Sequence, residues 1–300
     1  MRILTEASGS LTAAWLMRAI REAGHQPVGS DILDITPARC LADDFIRLPP
    51  ADDPRLWEQT AELLRSHRID LVIPSLDETL AGWAERREAF AAAGTHILIS
   101  APETLAVCQD KWRTYQFFRE QGIPTVATSR EQRYPLVKPR VGRGGSGVRI
   151  TDEPVDMTGM LSQELAAGFE VTVDALFDHR GEAVYIVPRR RIGVRDGKST
   201  GGETFAHEEI ERLVRRMGDA LSFYGPINFQ CFVDGETIRF IEINPRIAGG
   251  MALGLAATEN WIRVIVEHLL PRRAVTPVPV RYGLRMVRYY AECFIETPDQ

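Results

Sequence analysis

Ile238–Gly250, IRFIEINPRIAGG, is the stretch around which the rest of this chain is organised. Strand alternation puts Ile238, Phe240, Glu242 and Asn244 on one face and Arg239, Ile241 and Ile243 on the other. The Glu242 carboxylate and the Asn244 amide therefore point the same way, and Pro245 ends the strand. Both are hard oxygen donors of the kind that suits Mg²⁺, an ion that fills its remaining positions with water and substrate phosphate oxygens. A nucleotide is implied. Arg246 follows with a planar fork of donors suited to charge on a phosphoryl or carboxyl oxygen, and Gly249 and Gly250 let backbone approach a substrate closely. A plain antiparallel strand with Glu and Asn facing solvent is the ordinary alternative. The hairpin Ile227–Phe240, with its Asp234-Gly235 turn, and a glycine loop far upstream favour the metal.

At 300 residues the chain has room for two or three lobes, and 44% hydrophobic with 26% charged residues is a soluble globular composition. A net charge of −5 and a pI near 5.8 point away from nucleic acid and toward small molecules. Cys40, Cys108, Cys231 and Cys293 are scattered without CxxC or neighbouring histidines, which indicates neither a zinc site nor a disulfide framework. The N-terminus lacks a charged region followed by an apolar core, and no apolar run approaches about 18 residues. A cytoplasmic enzyme with no membrane contact is expected.

Residues 1–100 alternate strands and helices: Arg2–Thr5, a helix from about Leu11 to Ala23 capped by Gly24, a strand near Pro27–Ile32, a helix Pro54–His67, and strands Leu71–Pro74 and His96–Ile99. That order predicts a small Rossmann-like parallel sheet. Its first turn has Gly9 alone and no GxGxxG, so it suits a substrate-side lobe better than a dinucleotide site. Asp77 and Glu78, beyond the third strand, are either ligand contacts or acids in a helix's first turn. Ser100 and Glu103 form a capping box opening a helix Glu103–Gln121, with Lys111 mid-helix. Taken alone, Lys111 is a solvated lysine.

Next comes Tyr134–Ile150, YPLVKPRVGRGGSGVRI. Lys138 ends a short strand, and Gly142, Gly144, Gly145 and Gly147 give a loop rich in exposed N–H groups, a phosphate cradle in composition. The pattern matches GxGxxG, but a second strand and turn follow it, not the helix a pyrophosphate would need. No GK[ST] closes it as a P-loop. A glycine loop between two strands covers phosphates as a lid does. Downstream, Glu164 and Glu170 flank Gly168, and a carboxylate can take two hydrogen bonds from a ribose diol. Arg189, Arg190 and Arg191 form a basic run after strand Ala183–Pro188, suited to an anionic substrate or equally to solvent. Helix Glu208–Ser222 leads to strand Asn228–Val233 with Gln230. A strict two-residue Asp234-Gly235 turn would put Gln230 on the face opposite Glu242, so a shared metal requires a bulge or a longer loop. An apolar helix Leu253–Leu270 and one or two strands in Val280–Phe294 close the chain.

With Lys111, Lys138, the glycine loop, Gln163-Glu164, Gln230 and EINPR in this order, the chain resembles the ATP-grasp superfamily, in its carbamoyl-phosphate-synthetase-like, carboxylate–amine ligase branch. The resemblance implies an α/β fold of two α+β lobes sandwiching ATP over 101–300, a lid subdomain at about 123–163, and a preceding Rossmann-like domain over 1–100. By that resemblance Lys111 and Lys138 contact ATP phosphates and Gly142, Gly144, Gly145, Ser146 and Gly147 close over them. Gln163, Glu164 and Leu165 form the hinge against adenine, and Glu170 holds ribose. Gln230, Glu242 and Asn244 carry Mg²⁺, with Mn²⁺ as a substitute, and Arg246 stabilises an acyl-phosphate. Arg189, Arg191, Gly249 and Gly250 match substrate positions. Family habit favours a homodimer.

The implied chemistry has two steps: a carboxylate attacks the γ-phosphate of ATP, and an amine displaces phosphate from the acyl-phosphate. One such unit is present, which points away from a complete two-site carbamoyl-phosphate synthetase. Bicarbonate is the competing carboxylate: it would need the space near Arg189, Arg191 and Gly249–Gly250 filled, where an organic acid would need it open. A nucleotide sensor without catalysis is the third expectation, and Lys138, Glu242, Asn244 and Arg246 argue against it.

Overall fold

The computed structural model describes residues 1–295 apart from Leu11, 196–197 and Tyr290; Leu11, the expected start of the first helix, thus lies outside the described residues. Five short strands, β1 Arg2–Thr5, β2 Gln26–Asp31, β3 Asp44–Arg47, β4 Leu71–Ile73 and β5 His96–Ile97, form one parallel sheet in the order β3-β2-β1-β4-β5. Helices α1 Ala13–Glu22, α2 Ala38–Leu41, α3 Leu56–Ser66 and α4 Leu80–Ala92 connect them. Ile3, Leu4, Val28, Leu71 and Val72 are fully buried, as strands covered on both faces must be. Gly24, at φ +83°, ends α1 in a Schellman motif: its N–H reaches Arg21 O and that of His25 reaches Ile20 O. Strand β3 and helices α2 and α4 are additions to the sequence expectation; DFIR is too short and too charged to read as a strand.

The expected single helix over Glu103–Gln121 is two, α5 Pro102–Cys108 and α6 Lys111–Glu120. Asp110 breaks it: its backbone is extended and its carboxylate accepts from the N–H groups of Trp112 (3.0 Å) and Arg113 (3.4 Å), restarting the helix with Lys111 at its first position. No capping box forms at Ser100. Ala101 is the N-cap of α5, and the Ser100 hydroxyl instead accepts from Tyr224 N–H at 3.0 Å, tying this connection to a distant loop.

Strands β6 Thr128–Ser129, β7 Leu136–Pro139, β8 Arg149–Ile150 and β9 Met160–Gln163 make a small antiparallel sheet, β6-β9-β7-β8. A larger one follows: β10 Phe169–Phe177, β11 Ala183–Arg195, β12 Lys198–Thr204, β13 Gly225–Asp234, β14 Thr237–Asn244 and β15 Arg285–Val287, in the order β14-β13-β10-β11-β12-β15. One face packs α7 Glu208–Leu221 through Ile210, Leu213 and Met217. Where one helix was expected over Leu253–Leu270, there are α8 Ala252–Ala257, α9 Trp261–Val264 and a π turn Ile265–Leu269, with Asn260 capping α9. Of the strands expected in Val280–Phe294, only β15 is present among the described residues.

The N-terminal unit is not a separate ball. Trp15, Leu16 and Ile20 of α1 share one apolar core with Trp261 and Ile265. Among the described residues no helix is long and apolar enough to cross a membrane.

Candidate active site

The hairpin of β13 and β14 solves the register question raised by its turn. From Asp234↔Thr237 to Cys231↔Phe240 the strands pair one to one, and then Gln230 pairs with Glu242, so Ile241 is an extra residue. This bulge rotates β14 by one residue relative to β13. Gln230 and Glu242 are now directly opposite and share a face, with Asn228 and Asn244 paired one step further along. The donor set is one carboxylate and two amides, Gln230 and Asn244. Among the described residues no cluster of three or more His, Cys, Asp or Glu is positioned for a metal. Such hard oxygens fit Mg²⁺, which takes the rest of its shell from phosphate and water, better than a soft transition metal.

Two lysines face that carboxylate. Lys111 Nζ lies 3.7 Å from Glu242. Lys138, at the end of β7, is buried to 7% exposure and donates at 2.8 Å to Gln163 Oε1, whose amide NH₂ donates to Thr128 Oγ1 at 2.9 Å. Burial draws the Lys138 ammonium down from 10.5 to about 8; Glu242 acts in the opposite direction, and Lys111 adds repulsion. A phosphate entering here would meet a lysine that gains by its charge.

Gly142–Gly147 joins antiparallel β7 and β8 in the strand–loop–strand arrangement expected of a lid. Gly142, Gly144, Gly145 and Gly147 all have positive φ, which side-chain-bearing residues rarely adopt. The loop is tethered at its base: Lys111 Nζ donates to Gly142 O at 2.6 Å, Lys111 N–H to Arg140 O at 3.0 Å, and Arg140 is bidentate on Asp110 at 2.7 and 2.5 Å. Burial raises the Asp110 carboxyl, but Arg140 and the two cap N–H groups outweigh it and hold it below the usual range. Asp110 was not singled out from sequence, although an Asp directly before a lysine-led helix is an N-cap signal.

Arg246 turns back from Pro245 to the N-terminal domain. Asp77 Oδ2 accepts from its Nε at 2.9 Å and its Nη2 at 2.7 Å, and Glu78 accepts from Arg143 of the lid at 3.0 Å. Asp77, Glu78, Lys111, Gly142, Glu242 and Asn244 line one cleft. The two acids thus pair with arginines of the cleft, and they precede the first turn of α4, which begins at Leu80. Behind them lies Glu6, buried just past the end of β1. It accepts from Ser75 N–H (3.2 Å), Leu76 N–H (3.1 Å), Thr79 Oγ1 (2.7 Å) and Trp83 Nε1 (3.0 Å), which fixes the turn carrying Asp77 and Glu78. Burial raises its carboxyl against all four donors. Nothing in the sequence alone distinguished Glu6 from a surface acid.

The remaining expected residues divide. Glu170 pairs with Arg191, Glu164 pairs with Arg239 at 3.1 Å, and the Leu165 side chain is exposed. Arg190 stacks over the Phe169 ring at 4.2 Å. Arg189, expected to face substrate, is instead buried to 4% exposure, with its Nε 2.7 Å from Asp174, which is fully buried and also accepts from Asn228 Nδ2 at 2.8 Å. Its guanidinium lies against Gly250, where a Cβ would come within 2.2 Å of Nη2, and Arg288 donates to Gly249 O. Arginine side chains therefore occupy the space behind both glycines.

Two family models match consecutive parts of the chain: "PylC-like, N-terminal domain" over residues 12–98, and "ATP-grasp in the biosynthetic pathway with Ter operon" over residues 156–292. Residues 156–292 match an ATP-grasp family, and the chain has the ATP-grasp fold. This ATP-grasp chain is 26% identical over 228 residues to the arginine-specific carbamoyl phosphate synthase large chain of Bacillus subtilis, covering 65% of the chain and 22% of the relative. It is 24% identical over 287 residues to the N-terminal section of the Methanopyrus kandleri carbamoyl phosphate synthase large chain, covering 80% and 50%. It therefore spans about a fifth to a half of these relatives. Among solved structures it superposes on the biotin carboxylase domain of Hydrogenobacter thermophilus 2-oxoglutarate carboxylase, in complex with MgADP, ADP and bicarbonate, with TM-score 0.74 at 18% identity, covering 95% of this ATP-grasp chain and 73% of that one. N5-carboxyaminoimidazole ribonucleotide synthetase of Thermus thermophilus matches with TM-score 0.73 at 18% identity, covering 96% and 82%.

Proposed function

We propose that this ATP-grasp chain is an ATP- and Mg²⁺-dependent, ADP-forming ligase that activates a carboxylate as an acyl-phosphate and joins it to an amine. The observation that carries this is the bulge at Ile241, which puts Gln230, Glu242 and Asn244 on one face opposite Lys111 and Lys138. Those three side chains would hold Mg²⁺, whose chemistry is to neutralise and bridge phosphate oxygens. Lys111 and Lys138 neutralise the transferred phosphoryl group, and the lid's N–H groups with Arg143 cover it and exclude water. Leu165 is the apolar contact offered to adenine, and Glu170 is the carboxylate offered to ribose. Arg246, oriented by Asp77, stabilises charge on the acyl oxygen. The nucleophiles belong to the substrates.

A second version takes bicarbonate as the carboxylate. Arg189 and Arg288 behind Gly249 and Gly250 favour it, because the space an organic acid would need there is filled. The bicarbonate in the Hydrogenobacter structure is said of that enzyme and supports the idea by analogy only.

The deciding experiment measures ADP release with ATP and Mg²⁺ against pooled organic acids and against bicarbonate, each with and without amines. Turnover needing an organic acid and an amine supports the first version, and turnover with bicarbonate supports the second. Nucleotide binding without turnover in every pool would overturn both in favour of a sensor.

A further inference from the structure

We propose that the N-terminal domain holds the amine substrate, a small molecule with an apolar body and a protonated amino head distinct from the neutral nitrogen that attacks the acyl-phosphate. This rests on the ligase reading and adds to it the place and chemical class of that substrate. A cavity of about 190 Å³ opens at the carboxyl ends of β1 and β2 and beside the turn after β4, between α3 and α4. Open parallel sheets bind ligands at this end, beside the strand from which the chain winds in both directions, here β1.

The walls are apolar: Leu48, Leu56, Trp57 and Trp83 line them, with the tryptophan rings edge to face at 5.0 Å. Gly82 makes that packing fit, since a Cβ there would come within 2.0 Å of Trp57. Arg86 covers one face of Trp57 but does not line the cavity. The exposed Ile32 borders the opening.

Two features point to a ligand with a donor head. Thr60, fully buried in this wall, has no hydrogen-bond partner for its hydroxyl. A buried hydroxyl without a partner is destabilising, and an occupant offering a polar atom would relieve that. The charge in the wall is also of one sign: Asp31 and Glu6 line it, and no Lys, Arg or His does. Glu6 is committed to its four donors, whereas each Asp31 oxygen takes one backbone N–H, from Gly9 at 2.8 Å and Leu33 at 3.2 Å. A carboxylate accepts about four hydrogen bonds, so Asp31 retains capacity for an ammonium. Phosphate, bicarbonate and simple carboxylates would be repelled here.

The cavity is also well placed. Leu76 and Thr79 line it, while Asp77 and Glu78 of the same turn line the nucleotide cleft. One turn separates the two.

The test titrates the nucleotide-free full chain with 2-phenylethylamine, n-hexylamine, 2-phenylethanol and 3-phenylpropionate, following tryptophan fluorescence and calorimetry. Saturable binding of an amine, at least tenfold tighter than 3-phenylpropionate, is expected, with a loss of fivefold or more in Asp31→Asn and little change for 2-phenylethanol. Trp57→Phe should keep the calorimetric binding and reduce the fluorescence change. Equal binding of the acid, no saturable binding by any probe, or an Asp31→Asn variant with unchanged amine preference would overturn the proposal. ADP release run alongside separates it from the ligase reading. Amine binding without turnover in any pool leaves the site standing and removes the ligase, whereas turnover with an amine KM unmoved by Asp31→Asn keeps the ligase and removes the site.

Discussion

Asp77 and Arg246, 169 residues apart in sequence, are joined by two hydrogen bonds, from Nε (2.9 Å) and Nη2 (2.7 Å) to a single carboxylate oxygen. The arginine that would meet the reacting acyl group is therefore aimed from the N-terminal domain. Glu6 holds the turn that does the aiming. Docking of the first 100 residues is thus part of building the site.

Arg246→Ala should lower the rate of ADP release about 100- to 1000-fold, the usual cost of losing a donor to developing charge. ATP affinity should change by less than about threefold, because the lost contact is made in the transition state. Steady-state kinetics with equilibrium ATP binding checks both, and full activity would remove the assigned role.

Glu242→Ala should abolish Mg²⁺-dependent ATP turnover and leave the fold intact. Its side chain is partly exposed, and the buried Lys138 keeps its hydrogen bond to Gln163. Calorimetric unfolding should stay within a few °C of the parent.

Lys138 makes stability depend on pH in a defined direction. The unfolded chain keeps this proton to about 10.5, and the folded chain releases it at about 8. Between those values the unfolded state binds more protons, so stability rises with pH by up to about 3 kcal/mol. Above pH 10 the trend reverses, because Tyr185 and Tyr282 are pushed up to about 12 by burial and by their Glu259 and Glu211 partners. Urea unfolding of the nucleotide-free protein from pH 8 to 10 should show the rise, and Lys138→Met should flatten it. ATP affinity should fall over the same range as the ammonium is lost.

Gly250→Ala should destabilise the fold by about 1–3 kcal/mol, since a Cβ would lie 2.2 Å from Arg189 Nη2 and that guanidinium is locked on Asp174. Asp174→Ala should cost about 3–5 kcal/mol by leaving Arg189 buried and unpaired. Denaturant midpoints at constant m-value measure both. A silent Asp174→Ala would mean that Arg189 finds solvent or another partner.

Local signals carried far along this chain. The apolar runs of β1 and β4, the glycine loop between two strands and the Lys138 strand were legible because each depends on neighbours within a few residues; the alternation expected along β14 was not kept, since the bulge turns Glu242 and Asn244 to the face opposite Ile238 and Phe240. So was the choice between a bulge and a longer loop at the Asp234-Gly235 hairpin, which parity poses once Gln230 and Glu242 are to share a metal.

What sequence by itself determined is the set of chemical groups and their order: Lys111, Lys138, the glycine lid, Gln230, and Glu242 through Arg246. Only the tertiary structure decided their company. Asp110 ended a helix because its carboxylate could serve Arg140 and two cap N–H groups at once, thirty residues from that arginine. Arg189 left the substrate side because a buried Asp174 lay on the neighbouring strand of the same sheet face. Asp77 and Glu78 became anchors because the parallel sheet set their turn against the cleft. Propensity acts over one or two turns of chain, whereas ion-pair partners and desolvation are fixed by packing between segments, which no local pattern encodes.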